Sequence, residues 1–376
     1  MRSIRPRVPG KLTFWRRRIT AILVVAGIAA AIWVALADGT PTRHSRAENL
    51  SIAELAGQRI VAGFSGSSPS VKLKDMVAKG EVAGVILFDE NLGTRRHARR
   101  LIRRLQAIKR PKALRSPLMI MIDQEGGLVK RLSGPPNASA QEMGRRGKRY
   151  SSRQGAKTAS NLKDAGVNVN LAPVLDVGRR GSAIRSEHRS FGSKPGRVIR
   201  TGVAFGAAMQ RHGVAATGKH FPGLGAAKQN TDVAVQKIRL SKSELRRIDE
   251  KPYAPFAEKH GKLVMLSTAI YTAFSHRPGA FTKSIATREL RHQVGFKGVS
   301  ITDALETTSA ADFGGPAKVG VAAAKAGADL LLYTDDDAAA KAGHALRERL
   351  RKGHLKRAPF ERSVNRVLRL RAKLGG

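Results

Sequence analysis

The stretch of this chain richest in chemistry is Lys219-His220-Phe221-Pro222-Gly223-Leu224-Gly225. It comes directly after Val214-Ala-Ala-Thr-Gly218, a short apolar run that reads as a buried strand. A cation and an imidazole therefore stand where a strand ends, and the Pro-Gly pair turns the chain away. Asp303 holds a similar place in Val299-Ser-Ile-Thr-Asp-Ala-Leu305. There a carboxyl group closes an apolar strand beside small residues, with room to reach into a pocket. Cleavage of a glycosidic bond with retention needs such a nucleophile to trap the oxocarbenium-like centre. The alternative for Asp303 is a cap on the next helix. Other polar groups close other apolar runs: Asp89 after Phe88, Asp123, Asp176 and Ser267.

Eight strand-like runs carry these groups, at 59–64, 82–88, 117–123, 167–177, 214–219, 263–267, 298–303 and 329–333. Most are short and continuously apolar, the pattern of strands covered on both faces. Helix-like stretches alternate with them. Residues 94–109 space Leu101, Leu105 and Ile108 on one face and present a heavily basic outer face. Residues 197–212 form another helix, and Ser241-Lys-Ser-Glu244 has the form of a capping box. Gly213 and Gly327 suit helix ends before the next strand. Segments 132–153 and 178–195, rich in Gly, Pro, Ser and basic residues, read as long loops. The region from Asp336 onward reads as helical and basic. Eight alternations predict an α/β fold, a single-domain (β/α)8 barrel of the TIM type. A doubly wound open sheet would also alternate, but would string the polar strand ends along an edge.

The chain has 376 residues, 41% of them hydrophobic and only 5% aromatic, with 38 glycines. It contains no cysteine, which excludes disulfides, thiolate catalysis, cysteine-rich zinc sites and a Cys-anchored lipoprotein. Arg16-Arg17-Arg18 precede an uncharged apolar stretch, residues 19–37, that ends in Ala35-Leu36-Ala37. Basic, apolar, then small is the order of an export signal. Its length also approaches the roughly 17–20 residues that span a bilayer, so an uncleaved anchor is the rival reading. Either way the basic flank directs the rest of the chain out of the cytoplasm. The expected division is a basic N-terminus, signal or anchor and linker over 1–48, then one catalytic domain over 49–376. Formal net charge is +41. That favours anionic surroundings, with wall polymers or a membrane surface ahead of nucleic acid; solvated basic helix faces without a partner are the alternative. No nucleic-acid-binding pattern accompanies it. The ten histidines lack ligand spacing, and Gly223-Leu-Gly225 lacks the third glycine of a dinucleotide loop. No metal or cofactor is expected.

Several motifs in order resemble glycoside hydrolase family 3, in its bacterial β-N-acetylhexosaminidase branch. They are Gly84-Val-Ile-Leu-Phe88 with Asn91, Asp123-Gln-Glu-Gly-Gly127 through Arg131-Leu132, Leu171-Ala-Pro-Val-Leu-Asp176, Arg189-Ser-Phe-Gly192, the Lys219 segment, Gly295-Phe-Lys-Gly298 through Leu305, and Ala326-Gly-Ala-Asp329. The resemblance covers about residues 50–372. It implies a retaining exo-β-glycosidase, here one acting on wall-derived saccharides, with Asp303 as the covalent nucleophile. It also implies that Asp123 accepts hydrogen bonds from sugar hydroxyls, with Arg131, Arg189, Lys219 and His220 as donors around the terminal sugar. Without the resemblance, the two arginines would pass for surface cations and His220 for a structural histidine.

One segment departs from the family. The branch continues Lys-His-Phe-Pro-Gly with His-Gly and a loop ending Asp-Ser-His, whose Asp-His pair supplies the acid/base. Here Leu224 replaces the first His, and the loop ends Asn230-Thr231-Asp232. Asp232 becomes the candidate acid/base, with Glu125 and Glu187 as weaker ones. A solvated Asp ionises near pH 4 and donates poorly at neutrality unless its surroundings raise its pKa. If Asn230-Thr231-Asp232 is merely a turn, a catalytically weakened carbohydrate-binding barrel remains. A β-glucosidase with the same nucleophile is the other alternative.

Overall fold

The computed structural model describes residues 47–374, which lie within the second of two units, Met1–His44 and Ser45–Gly376. The predicted signal or anchor at 19–37 falls outside the described residues. No described helix is long and apolar enough to cross a membrane.

Eight parallel strands form the centre: β1 (Ile60–Ala62), β2 (Gly84–Ile86), β3 (Met119–Ile122), β4 (Val169–Asn170), β5 (Ala215–Phe221), β6 (Leu263–Leu266), β7 (Val299–Thr302) and β8 (Leu331–Tyr333). They neighbour one another in sequence order, and β8 pairs back onto β1 with Ile60 opposite Leu331 and Ala62 opposite Tyr333. A single parallel bridge, Ile301 to Leu330, joins β7 to β8 and closes the ring. All eight predicted strands are present; seven are shorter than the apolar runs that contain them, and β5 extends two residues past its run, to Phe221.

Burial on both faces explains those runs. Val61, Ile86, Met121, Leu171, Met265, Ile301 and Leu332 pack with one another inside the barrel. Alternate positions, including Ile60, Ala62, Val85, Ile120 and Ile122, pack outward beneath the helices. The interior is thus filled, and a ligand has room only above its uppermost side chains.

Two of the outer helices are α1 (Arg95–Ala107), capped by the Thr94 side chain, and α2 (Lys148–Ala165). The first matches expectation. The second corrects it, because 132–153 reads as loop in sequence yet holds the helix Ala140–Arg146 and the start of α2. The inward face of α2 carries Ser151, Gly155, Thr158 and Ala159 with few large apolar residues, so the periodicity is faint. Small residues are required there: a Cβ on Gly155 would meet the Phe205 carbonyl oxygen at 2.3 Å. The 178–195 segment likewise contains a short helix, Ala183–Ser186. The C-terminal region forms two helices, Asp336–Arg351 and α3 (Arg357–Ala372).

Candidate active site

A cavity of about 360 Å³ opens at the C-terminal ends of the strands. Its floor is the top interior layer, Ile86, Leu171, Met265 and Leu332. Asp303, Asp232, Asp123, Arg131, Arg189, Lys219 and His220 all line it. Side chains from widely separated parts of the sequence, from Asp123 to Asp303, thus meet around one space. A larger groove of about 460 Å³, among Lys262, Phe296 and Lys373, holds none of them.

Lys219 is buried at the end of β5. Its Nζ donates to Asp123 Oδ1 at 2.6 Å and lies 2.7 Å from Glu125 Oε1. Arg189 grips Glu125 with two parallel bonds of 2.9 Å, and its third nitrogen reaches Glu187 Oε2 at 3.2 Å. Burial disfavours the Glu125 carboxylate, but the charges and hydrogen bonds of Arg189 and Lys219 outweigh it and hold its pKa down to about 2. Burial likewise disfavours the Lys219 ammonium, and Asp123 and Glu125 reverse that, raising its pKa above the usual value. Glu125 is therefore an ionised anchor for two cations, which removes it from the candidate proton donors. The hairpin that places it, Gln124–Gly126 with Val129–Lys130, turns through Gly126 and Gly127 at φ of 98° and 62°. A Cβ at Gly126 would strike the Ala138 carbonyl oxygen at 2.2 Å.

His220 is fixed from behind. Asp176, fully buried, accepts its Nδ1–H at 2.7 Å, its backbone N–H at 3.1 Å and the Leu224 N–H at 2.6 Å. A carboxylate can only accept, so Nδ1 carries the proton. Asp176 therefore supports the site from beneath and does not line it. Asp89 and Ser267 do not line it either. Asp89 is exposed and pairs with Arg131 at 3.1 Å, while buried Ser267 accepts the Ala269 N–H. Asp329, in the last resembling motif, lies at the opposite end of β8, paired with Arg291 and Arg366.

Asp303 comes after β7 and accepts the Ala304 N–H at 3.0 Å. Burial raises its pKa; His220 and Lys219 oppose that, and the charge of Asp232 adds to it. The two carboxyl groups are thus close enough to feel each other across the cavity. Asp232 itself is exposed, and Asn230 Nδ2 donates to its Oδ2 at 3.2 Å. The loop that bears it is docked onto the segment after Asp303. Thr308 Oγ1 donates to the Asp232 carbonyl at 3.0 Å, and Ser309 Oγ to the Ala234 carbonyl at 2.9 Å. Leu224, in place of a histidine, is buried against the cavity.

Residue types in sequence do not single out Glu306. It lines the cavity three positions after Asp303, and its Oε1 accepts the Thr334 N–H at 2.8 Å. Burial pushes its pKa up to about 7. The only signal for it in the sequence is its short spacing from Asp303.

The family model described as "Glycosyl hydrolase family 3 N terminal domain" matches residues 49–370. An uncharacterized secreted glycosyl hydrolase of Arthroderma benhamiae is 38% identical over 86% of this chain and 94% of its own length. A β-hexosaminidase of Pseudomonas aeruginosa is 33% identical over 78% of this chain and 87% of its own. Among solved structures, a β-N-acetylglucosaminidase from Paenibacillus sp. str. FPU-7 superposes with a TM-score of 0.81 at 29% identity. That match covers 87% of this chain and 63% of the longer Paenibacillus chain. A β-N-acetylhexosaminidase from Beutenbergia cavernae gives 0.80 at 27% identity, covering 86% of this chain and 99% of its own.

Proposed function

The chain belongs to glycosyl hydrolase family 3, and on that premise we propose that it is an exported, retaining exo-β-glycosidase that removes terminal N-acetylglucosamine from wall-derived saccharides. The observation that carries this reading is the pair Asp303 and Asp232 in one cavity with the Lys219–Asp123–Glu125–Arg189 cluster. Asp303 attacks the anomeric carbon as the glycosidic C–O bond breaks, and Asp232 gives its proton to the leaving oxygen. Water then attacks the glycosyl ester, Asp232 takes back a proton, and Asp303 leaves as carboxylate. Asp123 accepts from sugar hydroxyls. Arg131, Arg189, Lys219 and His220 hold fixed polar hydrogens towards the sugar oxygens. Export is supported by the basic-apolar-small N-terminus and by the word "secreted" in the name of the Arthroderma relative. The domain over 49–376 is taken as the catalytic unit.

A slow 2-fluoro sugar should label Asp303, read by mass spectrometry of peptides. Label on another residue, or turnover that survives Asp303→Asn, would sink the mechanism. Asp232→Ala should lower turnover of aryl N-acetylglucosaminide by about 10²–10⁴-fold, with azide restoring part of it. The exposure of Asp232 favours one second reading, a carbohydrate-binding barrel with weak catalysis. It predicts saccharide binding with turnover indifferent to both substitutions. An aryl glucoside hydrolysed faster than the N-acetylglucosaminide would instead mark a β-glucosidase.

A further inference from the structure

We propose that the outer faces of α1 and α2 form one docking strip for a linear phosphate-bearing polymer of the extracellular matrix. Residues 94–115 hold ten Lys or Arg and no Asp or Glu. On α1, Arg96, Arg100, Arg103 and Arg104 are exposed, and none forms an ion pair or donates a hydrogen bond to another described residue. Spacings of three and four residues put them along one side of the helix. Arg149, Arg153 and Lys157 repeat that pattern on α2 and are also exposed. The helices pack side by side: Arg95 Nη1 donates to the Asn161 carbonyl at 3.4 Å, and Arg99 Nε donates to the Asp164 carbonyl at 2.7 Å. The cations of one helix therefore extend the field of the other.

The strip leads to the cavity. In a (β/α)8 barrel each helix starts at the catalytic rim and runs back down the outside. The four-residue helix Asp89–Leu92 precedes α1, and its Asp89 holds the cavity-lining Arg131. From that rim α1 descends about 20 Å at 1.5 Å per residue. Six of its thirteen residues are arginine and none is lysine, and the planar guanidinium matches phosphate with two parallel hydrogen bonds.

What the strip lacks selects its occupant. Its exposed positions carry no aromatic platform for bases, since Tyr150 is half-buried beneath Arg146. Nor do they offer an aliphatic side chain larger than Ala107 to enter a bilayer. Charge alone remains, which suits a polymer read through its phosphates.

The test uses the full-length chain and long-chain inorganic polyphosphate, with affinity measured across a salt series. The quadruple variant Arg96→Gln, Arg100→Gln, Arg103→Gln, Arg104→Gln should bind at least about tenfold more weakly. Its log–log salt slope should fall by about 3, at roughly 0.7 per lost contact. A control removes four cations elsewhere, Lys259→Gln, Lys352→Gln, Arg362→Gln and Arg369→Gln, and should keep nearly all affinity. Unchanged melting temperatures show that both variants fold. Equal loss in the control overturns the strip in favour of undirected net charge. Tighter binding to oligo-dT or to vesicles containing anionic lipid than to polyphosphate overturns the choice of occupant.

Discussion

Glu125 shows how a carboxyl group beside a candidate active site can be structural. Two cations converge on it, and its side chain has almost no contact with water. Glu125→Gln keeps the shape and removes the charge, leaving Lys219 and Arg189 buried and under-compensated. Such a loss typically costs about 3–5 kcal/mol. Its pH dependence comes from the depressed pKa. The folded value is about 2 against an ordinary 4.5, so the stabilisation is fully present above pH 4.5 and is lost as pH falls towards 2. Denaturant unfolding of wild type and variant should therefore differ most near neutrality and converge as pH falls to about 2. A constant difference across that range would refute the assignment. Sequence alone reaches Asp123, Lys219 and Asp303 because each closes an apolar run, a place that is visible locally. It does not separate Asp176 from them. Both kinds of carboxylate end strands, and only the fold decides that Asp176 turns beneath His220 while Asp303 turns into the cavity. The states of Glu125 and Glu306 are hidden for the same reason: a partner 64 positions away fixes the first, and burial in the assembled fold raises the second.

The loop carrying Leu224 to Gln236 depends on close backbone contacts that a motif does not reveal. The Gly225 carbonyl accepts the Arg179 N–H at 3.0 Å. A Cβ at Gly225 would lie 2.0 Å from the Val177 carbonyl oxygen, a distance that cannot be relieved by rotating a side chain. Gly225→Ala must push the loop off the segment after β4. Thr308 and Ser309 hold the loop at Asp232 and Ala234, so the displacement strains those bonds and shifts Asp232 with them. Hydrolysis should fall by about tenfold or more, because proton transfer is sensitive to shifts of roughly an ångström. Saccharide affinity, which the proposed function assigns to Asp123, Arg189 and Lys219, should change much less. A variant with wild-type kcat would mean that the loop tolerates displacement and that Asp232 is not the proton donor. The strands are legible in sequence because burial on both faces writes a continuous apolar run. The start of α2 is not, because its inward side is built from Gly, Ala, Ser and Thr that let helices approach closely.

The acidic side chains are unevenly spread, with Asp123, Glu125, Asp176, Asp232, Asp303 and Glu306 gathered at one end of the barrel. In a chain of net charge +41, that leaves the outer helices short of counter-charge, and the fold must hold cations by other means. Arg371 on α3 is the extreme case. It is fully buried, with no carboxylate partner among the described residues. It donates to the carbonyls of Leu114, Ser116 and Pro117 and to Gln58 Oε1. One guanidinium thus ties the C-terminal helix to the segment entering β3 and to Gln58, two residues before β1, across 254 positions of sequence in the case of Pro117. Arg371→Leu fills part of the volume and strands those four acceptors. Unpaired buried acceptors cost about 1–3 kcal/mol each where water cannot reach them, and partial relaxation should leave a net loss of about 3 kcal/mol. For a domain of this size that lowers the melting temperature by roughly 5–10 °C. Because Arg371 sits at the end of the barrel away from Asp303, kcat at about 25 °C should stay near wild type while the folded fraction remains high. A variant that melts at the wild-type temperature would show that the ring is closed by its strands alone.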